Sequence, residues 1–182
     1  QLSPDTRLEG WDGCSGYHST DSVIYGFSHT HLSGTGVADY CDILFMPKTG
    51  EPVWQNGYKQ GVDNGYASRF RKSEEHASAG YYRVLLDDYQ VEAELTASTR
   101  AGFHKYTFNQ SDKALLMLDL THRDEVLESD IEQLSDTEIV GFRRSKSWAQ
   151  DQHLYFYARF NQPIDSFMIA LNDSVHPGLE KA

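Results

Sequence analysis

Two segments near the start of the chain concentrate the residue types that do chemistry. They are Gly10-Trp11-Asp12-Gly13-Cys14-Ser15-Gly16-Tyr17-His18 and Gly26-Phe27-Ser28-His29-Thr30-His31-Leu32-Ser33-Gly34-Thr35-Gly36. Both mix glycines, which let backbone approach a ligand closely, with aromatic, acidic and imidazole side chains. The combination suits a sugar: an aromatic ring stacks on the apolar face of a pyranose while Asp, His and Ser groups hydrogen-bond its hydroxyls. Plainer readings stand beside this one. Trp11 also suits the closed end of a β-sandwich, and Asp12 before Gly13 suits an Asx-turn.

His29 and His31 are two residues apart, so on an extended chain both side chains project from one face. Three roles are open to them: contact with a polar ligand, internal hydrogen bonding, or metal ligation with Cys14, His18 or Cys41. No recognisable ligand spacing ties that last set together. Ser33-Gly34-Thr35-Gly36 is a loop, not a phosphate cradle, because no Gly-Lys-[Ser/Thr] and no strong helix follow it. Gly13-Cys14-Ser15-Gly16 lacks the Gly-x-Ser-x-Gly of a nucleophile elbow, which excludes serine-hydrolase chemistry of that type. Glu74-Glu75-His76 holds acid and base types, although a charged run in a turn is usually solvated. Spacing in a sandwich identifies no carboxylate pair, so the sequence names no catalytic acid, no catalytic base and no metal ligand.

The elements that position these residues read as strands. Residues 1–65 carry closely spaced turn signals such as Asp12-Gly13, Ser15-Gly16, Asn56-Gly57 and Asn64-Gly65, with short strands at Val23–Phe27 and at Ile43–Met46, the latter stopped by Pro47. From residue 80 the runs lengthen: Tyr81–Leu86, Gln90–Ala97, Gly102–Phe108, Ala114–Leu120, Glu138–Arg144, His153–Phe160 and Ser166–Leu171. Seven runs separated by turns predict an all-β sandwich. Alternation of apolar and polar residues in Val91-Glu92-Ala93-Glu94-Leu95-Thr96-Ala97 predicts antiparallel pairing with one face to the core. In Asp124–Asp136, Val126, Leu127, Ile131 and Leu134 approximate helical spacing, while the surrounding rhythm favours a strand.

At 182 residues with 39% hydrophobic and 13% aromatic content, the chain has enough apolar material for one substantial core, and one domain over 1–182 is expected. A formal charge of -11 repels phosphate backbones and argues against nucleic-acid partners. No apolar run approaches the ~20 residues that span a bilayer, and no basic and apolar leader opens the chain, so no membrane partner is expected. The start at Gln1, without Met, reads as a processed or excised end, and Cys14 and Cys41 are too few to define a disulfide framework.

The run Gln1–Arg7, the segments Gly10–His18 and Ile24–Gly36, then Phe70–Tyr82 and Glu94–Phe108, closely resemble the N-terminal domain of glycoside hydrolase family 92. The resemblance spans essentially the whole chain. Two departures are Ala79, where the family commonly has Pro, and the absence of a Gly/His-rich loop before Gln1. The resemblance implies a β-supersandwich like that of galactose-mutarotase-like proteins. It also implies a parent enzyme that is an exo-acting, calcium-dependent, inverting α-mannosidase, exported by bacteria and acting on mannose-rich N-glycans or yeast mannan.

In such an enzyme a C-terminal (α/α)₆ domain supplies the calcium ligands, the general acid and the general base, and the sugar pocket lies between the two domains. By motif membership, Trp11, Asp12, Cys14 and His18 are first choices for the pocket wall, with His29 and His31 second; Arg7 lines the pocket or stitches the loop to the sheet. No calcium cage of six to eight oxygens is legible, so no tightly bound calcium is expected in this chain. The expected partners are a mannose-containing glycan and the C-terminal (α/α)₆ domain, and the expected location is secreted, periplasmic or cell-surface. An autonomous carbohydrate-binding module and a structural support domain are the alternatives. An accessory domain shows an apolar patch where its partner belongs, whereas a module shows a polar surface with an aromatic platform.

Overall fold

The computed structural model describes residues 1–13, 15–32, 40–109, 113–171, 174–177 and 181–182. The strands in chain order are β1 (Ser3–Asp5), β2 (Val23–Ile24), β3 (Gly26–Ser28), β4 (Leu44–Thr49), β5 (Ser68–Arg69), β6 (Glu75–Ser78), β7 (Tyr81–Leu86), β8 (Val91–Ala97), β9 (Gly102–Phe108), β10 (Ala114–Asp119), β11 (Glu125–Ser135), β12 (Glu138–Lys146), β13 (Gln152–Arg159), β14 (Met168–Leu171) and β15 (Ser174–Pro177). Among the described residues helix is confined to three-residue 3₁₀ turns and every strand pairing is antiparallel, so the all-β expectation holds. No helix among the described residues is long and apolar enough to cross a membrane. The chain divides into two compact units, Gln1–Arg123 and Asp124–Ala182.

The first unit packs a β1-β3-β4-β10 sheet against a β6-β7-β8-β9 sheet. Phe27, Leu44, Met46 and Met117 face Val84, Leu86, Val91, Ala93 and Leu95 across one buried core. The β8 alternation is as read from sequence: Val91, Ala93 and Leu95 are buried, and Glu92 and Glu94 face outward.

The expected Val23–Phe27 strand is two strands with different partners: β2 pairs β5, and β3 pairs β1 and β4. The split falls at Tyr25, just before Gly26, whose φ of +151 and lack of Cβ let Leu44 pack where a side chain would stand. Pro47 does not stop β4, which runs on to Thr49. β3 pairs with β4 only at Phe45, so at Pro47 the strand has one neighbour, β10, and proline is tolerated there.

The second unit holds the β11-β12-β13 sheet and the β14-β15 hairpin. Asp124–Asp136 is a strand: β11 spans eleven residues. Register shifts between Val126 and Glu128 and between Gln133 and Ser135 break its alternation, which is why its apolar residues mimic helical spacing.

Candidate functional site

The site is built outward from Asp5, the last residue of β1, which has no exposed surface. Ser28 at the end of β3 donates to Asp5 Oδ2, His31 Nε2 and His122 Nε2 each lie 3.5 Å from that oxygen, and Arg123 Nε lies 3.5 Å from Oδ1. Burial raises the carboxyl's pKa, but His122 and His31 outweigh it and hold Asp5 well below the usual carboxylate range. Burial likewise lowers His31, and the Asp5 carboxylate reverses that, raising the imidazole to about 10. The pair is therefore an ion pair, and both charges are compensated inside the fold.

The first motif wraps over this hub. Thr6 and Arg7 N–H groups donate to the Gly16 carbonyl at 2.7 and 3.0 Å, and Gly16 donates to Gly13 at 2.9 Å. Gly16 has a φ of +78, and an added Cβ there would stand 2.5 Å from His31 Cε1. Arg123 donates to the Arg7 and Gly13 carbonyls. Arg7 donates to Asp21 Oδ1 at 2.5 Å and reaches Asp12 at 3.5 Å, while Thr6 holds Asp21 Oδ2 at 2.9 Å. Further along, Tyr17 donates to Glu75 at 3.1 Å, and Glu75 also accepts from Tyr82 at 2.7 Å and Lys72 at 2.9 Å.

On this base Trp11 and Asp12 form an exposed 3₁₀ turn, Trp11–Gly13, with Trp11 75% exposed. Half-buried His18 lies beside them in sequence, its Nδ1 2.9 Å from the Thr20 hydroxyl. A polar cleft of about 360 Å³ is lined in part by Thr6, Arg7, Glu9, Thr20, Asp21 and Tyr58; Trp11, Asp12 and His18 do not line it, although Arg7 reaches Asp12 and Thr20 meets His18. That volume falls in the range of small-molecule sites. Cys14 and the Ser33–Gly36 loop lie outside the described residues.

His29 and His31 do not share a face. β3 ends at Ser28, and Thr30 takes a φ of +59, held by its hydroxyl bond to Asp42 at 2.6 Å, so the extended spacing of two is broken. His31 turns into the Asp5 hub, whereas His29 Nδ1 lies 2.8 Å from the Ile43 carbonyl oxygen and its Nε2 lies 3.1 Å from His104. Both imidazoles are committed to interior hydrogen bonds.

Sequence reasoning passed over Asp5, His122 and Arg123, because β1 is a three-residue strand and its partners lie more than 115 residues away in the chain. It also read Glu74-Glu75-His76 as a solvated run, whereas the Glu75 side chain is 10% exposed and accepts from three groups. Only its place beside Tyr81 and Tyr82, the aromatic half of the same motif, hinted at that role.

Among the described residues one set of side chains brings metal-ligand atoms together: Asp5, His31 and Cys41, all buried, within 4.8 Å. His31 Nδ1 lies 3.4 Å from Cys41 Sγ, and its Nε2 lies 3.5 Å from Asp5. With one carboxylate, a nitrogen and a sulfur, the set does not fit calcium, which takes six to eight oxygens.

The family model for the glycosyl hydrolase family 92 N-terminal domain matches residues 1–182. Among solved structures, a family GH92 α-mannosidase from Bacteroides thetaiotaomicron is similar at 37% identity and a TM-score of 0.91, over 97% of this chain and 24% of that one. The same enzyme in complex with mannoimidazole is similar at 35% identity and a TM-score of 0.92, over 100% of this chain and 25% of that one. A family GH92 inverting mannosidase from Bacteroides thetaiotaomicron VPI-5482 shares the fold, at 21% identity and a TM-score of 0.80, over 100% of this chain and 23% of that one. No curated protein sequence matches the chain. The chain spans about a quarter of the length of the solved enzymes it matches, and it belongs to glycoside hydrolase family 92 as the N-terminal domain.

Proposed function

We propose that this chain forms one wall of the mannose pocket of an exo-acting α-mannosidase that inverts configuration. In this reading the general acid, the general base and the calcium ligands lie in polypeptide beyond residue 182. The observation that carries it is Trp11, a largely exposed ring on a turn fastened from beneath through Arg123 and the buried Asp5, its neighbour Asp12 reached by Arg7 from a polar cleft. A rigid, solvent-facing indole offers stacking area to a sugar ring without a large ordering cost on binding.

The carboxylates below the turn support placing catalysis elsewhere. Asp5 is sealed in the hub, Asp21 is held by Arg7 and Thr6, and Glu75 by Tyr17, Tyr82 and Lys72. Inversion needs an acid and a base some 6.5–9.5 Å apart with a water between them, and these three are occupied with structure. Asp12 and His18 would hydrogen-bond sugar hydroxyls at the rim of the cleft. The substrates would be mannose-rich glycans outside the cytoplasm, and the enzyme exported.

The test is hydrolysis of α-1,2-mannobiose, with Ca²⁺ and with a chelator, by the 182-residue chain and by the protein extended through its C-terminal domain. Activity is expected in the extended protein alone, and Trp11→Ala there should lower kcat/KM by about tenfold. Turnover by the 182-residue chain would place the catalytic carboxylates within it, and inactivity of both forms would remove the mannosidase assignment.

A further inference from the structure

The apolar surface of the protein is unevenly distributed. The buried core cluster lies entirely within residues 1–123, whereas among the described residues of Asp124–Ala182 only Ile139 and Ile169 are buried large apolar residues. Exposure runs the other way. Of the nine large apolar side chains exposed among the described residues, seven lie in the second unit: Leu127, Leu134, Trp148, Tyr155, Tyr157, Leu171 and Val175. A three-stranded sheet and a hairpin with so little buried apolar surface require a cover.

The register shows which face needs it. Tyr155 and Tyr157, 73% and 56% exposed, stand on the same face of β13, opposite Phe142 and Val140 of β12. The Phe142 ring packs 4.7 Å from Tyr155 and 5.8 Å from His153, making a continuous aromatic strip. Among the described residues β13 is also the open edge of its sheet, a place natural proteins keep covered or charged.

Part of the charge on this face is paired. Arg144 pairs with Asp151 at 2.7 Å, Lys181 with Glu132 at 2.7 Å, and Tyr157 donates to Glu138 at 2.5 Å. A cover over the strip therefore meets paired groups beside the tyrosines, with Glu128, Asp130 and Arg159 standing on the same face for it to complement. Exposed leucines and a valine in the same unit fit a polypeptide cover better than a sugar, which uses aromatic rings and polar groups.

We infer that the β12–β13 face carrying Phe142, Tyr155 and Tyr157 is the seat of polypeptide that follows this chain in the same protein. The inference rests on reading the chain as one domain of a longer enzyme, and the solved relatives, about four times its length, supply an occupant of sufficient size.

Hydroxyl-radical footprinting with mass spectrometry tests it, on the full-length protein with and without yeast α-mannan and on the 182-residue chain. Tyr155 and Tyr157 should react readily in the 182-residue chain and about an order of magnitude more slowly in the full-length protein without mannan. Equal reactivity in both forms would overturn the inference. So would protection in the 182-residue chain, which would mean that residues 1–182 cover the strip themselves, and so would protection that appears only with mannan, which would make the strip a glycan platform. Replacing both tyrosines, Tyr155→Asp with Tyr157→Asp, should lower the full-length protein's Tm by several degrees, with Tyr155→Phe tolerated. A full-length protein that hydrolyses mannobiose with reactive tyrosines would sink this inference alone and leave the mannosidase reading intact.

Discussion

His104 and His31 set opposite pH limits on the first unit. Burial, with His29 adding to it, holds His104 down to about 3, so the folded protein keeps this imidazole neutral. Below about pH 6.5 the unfolded chain takes up a proton that the folded chain refuses, and stability falls as acid is added toward pH 3. His31 has the reverse sign. Its pKa near 10 means its contribution is full below about pH 6.5 and is lost as pH climbs through 10. The urea midpoint of the 182-residue chain should therefore peak near neutrality and decline on both sides. His104→Gln should flatten the acid side between pH 6.5 and 4 and leave the alkaline side unchanged; an unaltered acid side would show that other groups set that limit.

Among elements, the loop over the hub depends on Gly16 in a way that size alone explains. A methyl group there meets His31 Cε1 at 2.5 Å and Asp5 Oδ1 at 2.7 Å, on backbone already in the left-handed region. Gly16→Ala should destabilise the unit by about 3 kcal/mol, by overpacking and by backbone strain together. In the extended protein it should also weaken mannobiose hydrolysis, because the turn bearing Trp11 loses its base; a variant of unchanged urea midpoint would show that the hub yields easily.

Elements with a regular rhythm were legible in the sequence. β8 alternates strictly, so its faces followed from residue types alone. β11 was ambiguous because two register shifts hide a strand behind helical spacing. β1 left no signal, since Ser3-Pro4-Asp5 is short and polar and two of Asp5's partners, His122 and Arg123, lie far along the chain. At the candidate site Trp11 and Asp12 stand exposed on their turn, but the placement of His29 and His31 turned on one left-handed residue, Thr30, that no spacing rule anticipates.

Over the whole molecule, stability should be as uneven as the apolar burial. Native-state amide exchange of the 182-residue chain should show strong protection in β7 and β8, which supply five of the core residues, and faster exchange in β11 to β15. Equal protection in both sets of strands would mean that the second unit is stabilised by something other than its own burial.

Asp5 also carries a consequence for how the protein is made. Its partners His122 and Arg123 leave the ribosome more than 115 residues after it, at the end of the first unit. At about 5–20 residues per second, the carboxylate waits roughly 6–24 seconds for them. Until then Asp5 lacks two of the side chains that surround it, and the turn bearing Trp11 lacks the arginine that grips its carbonyls. The turn bearing Trp11 is thus among the last parts of this unit to set, although it is among the first to be synthesised.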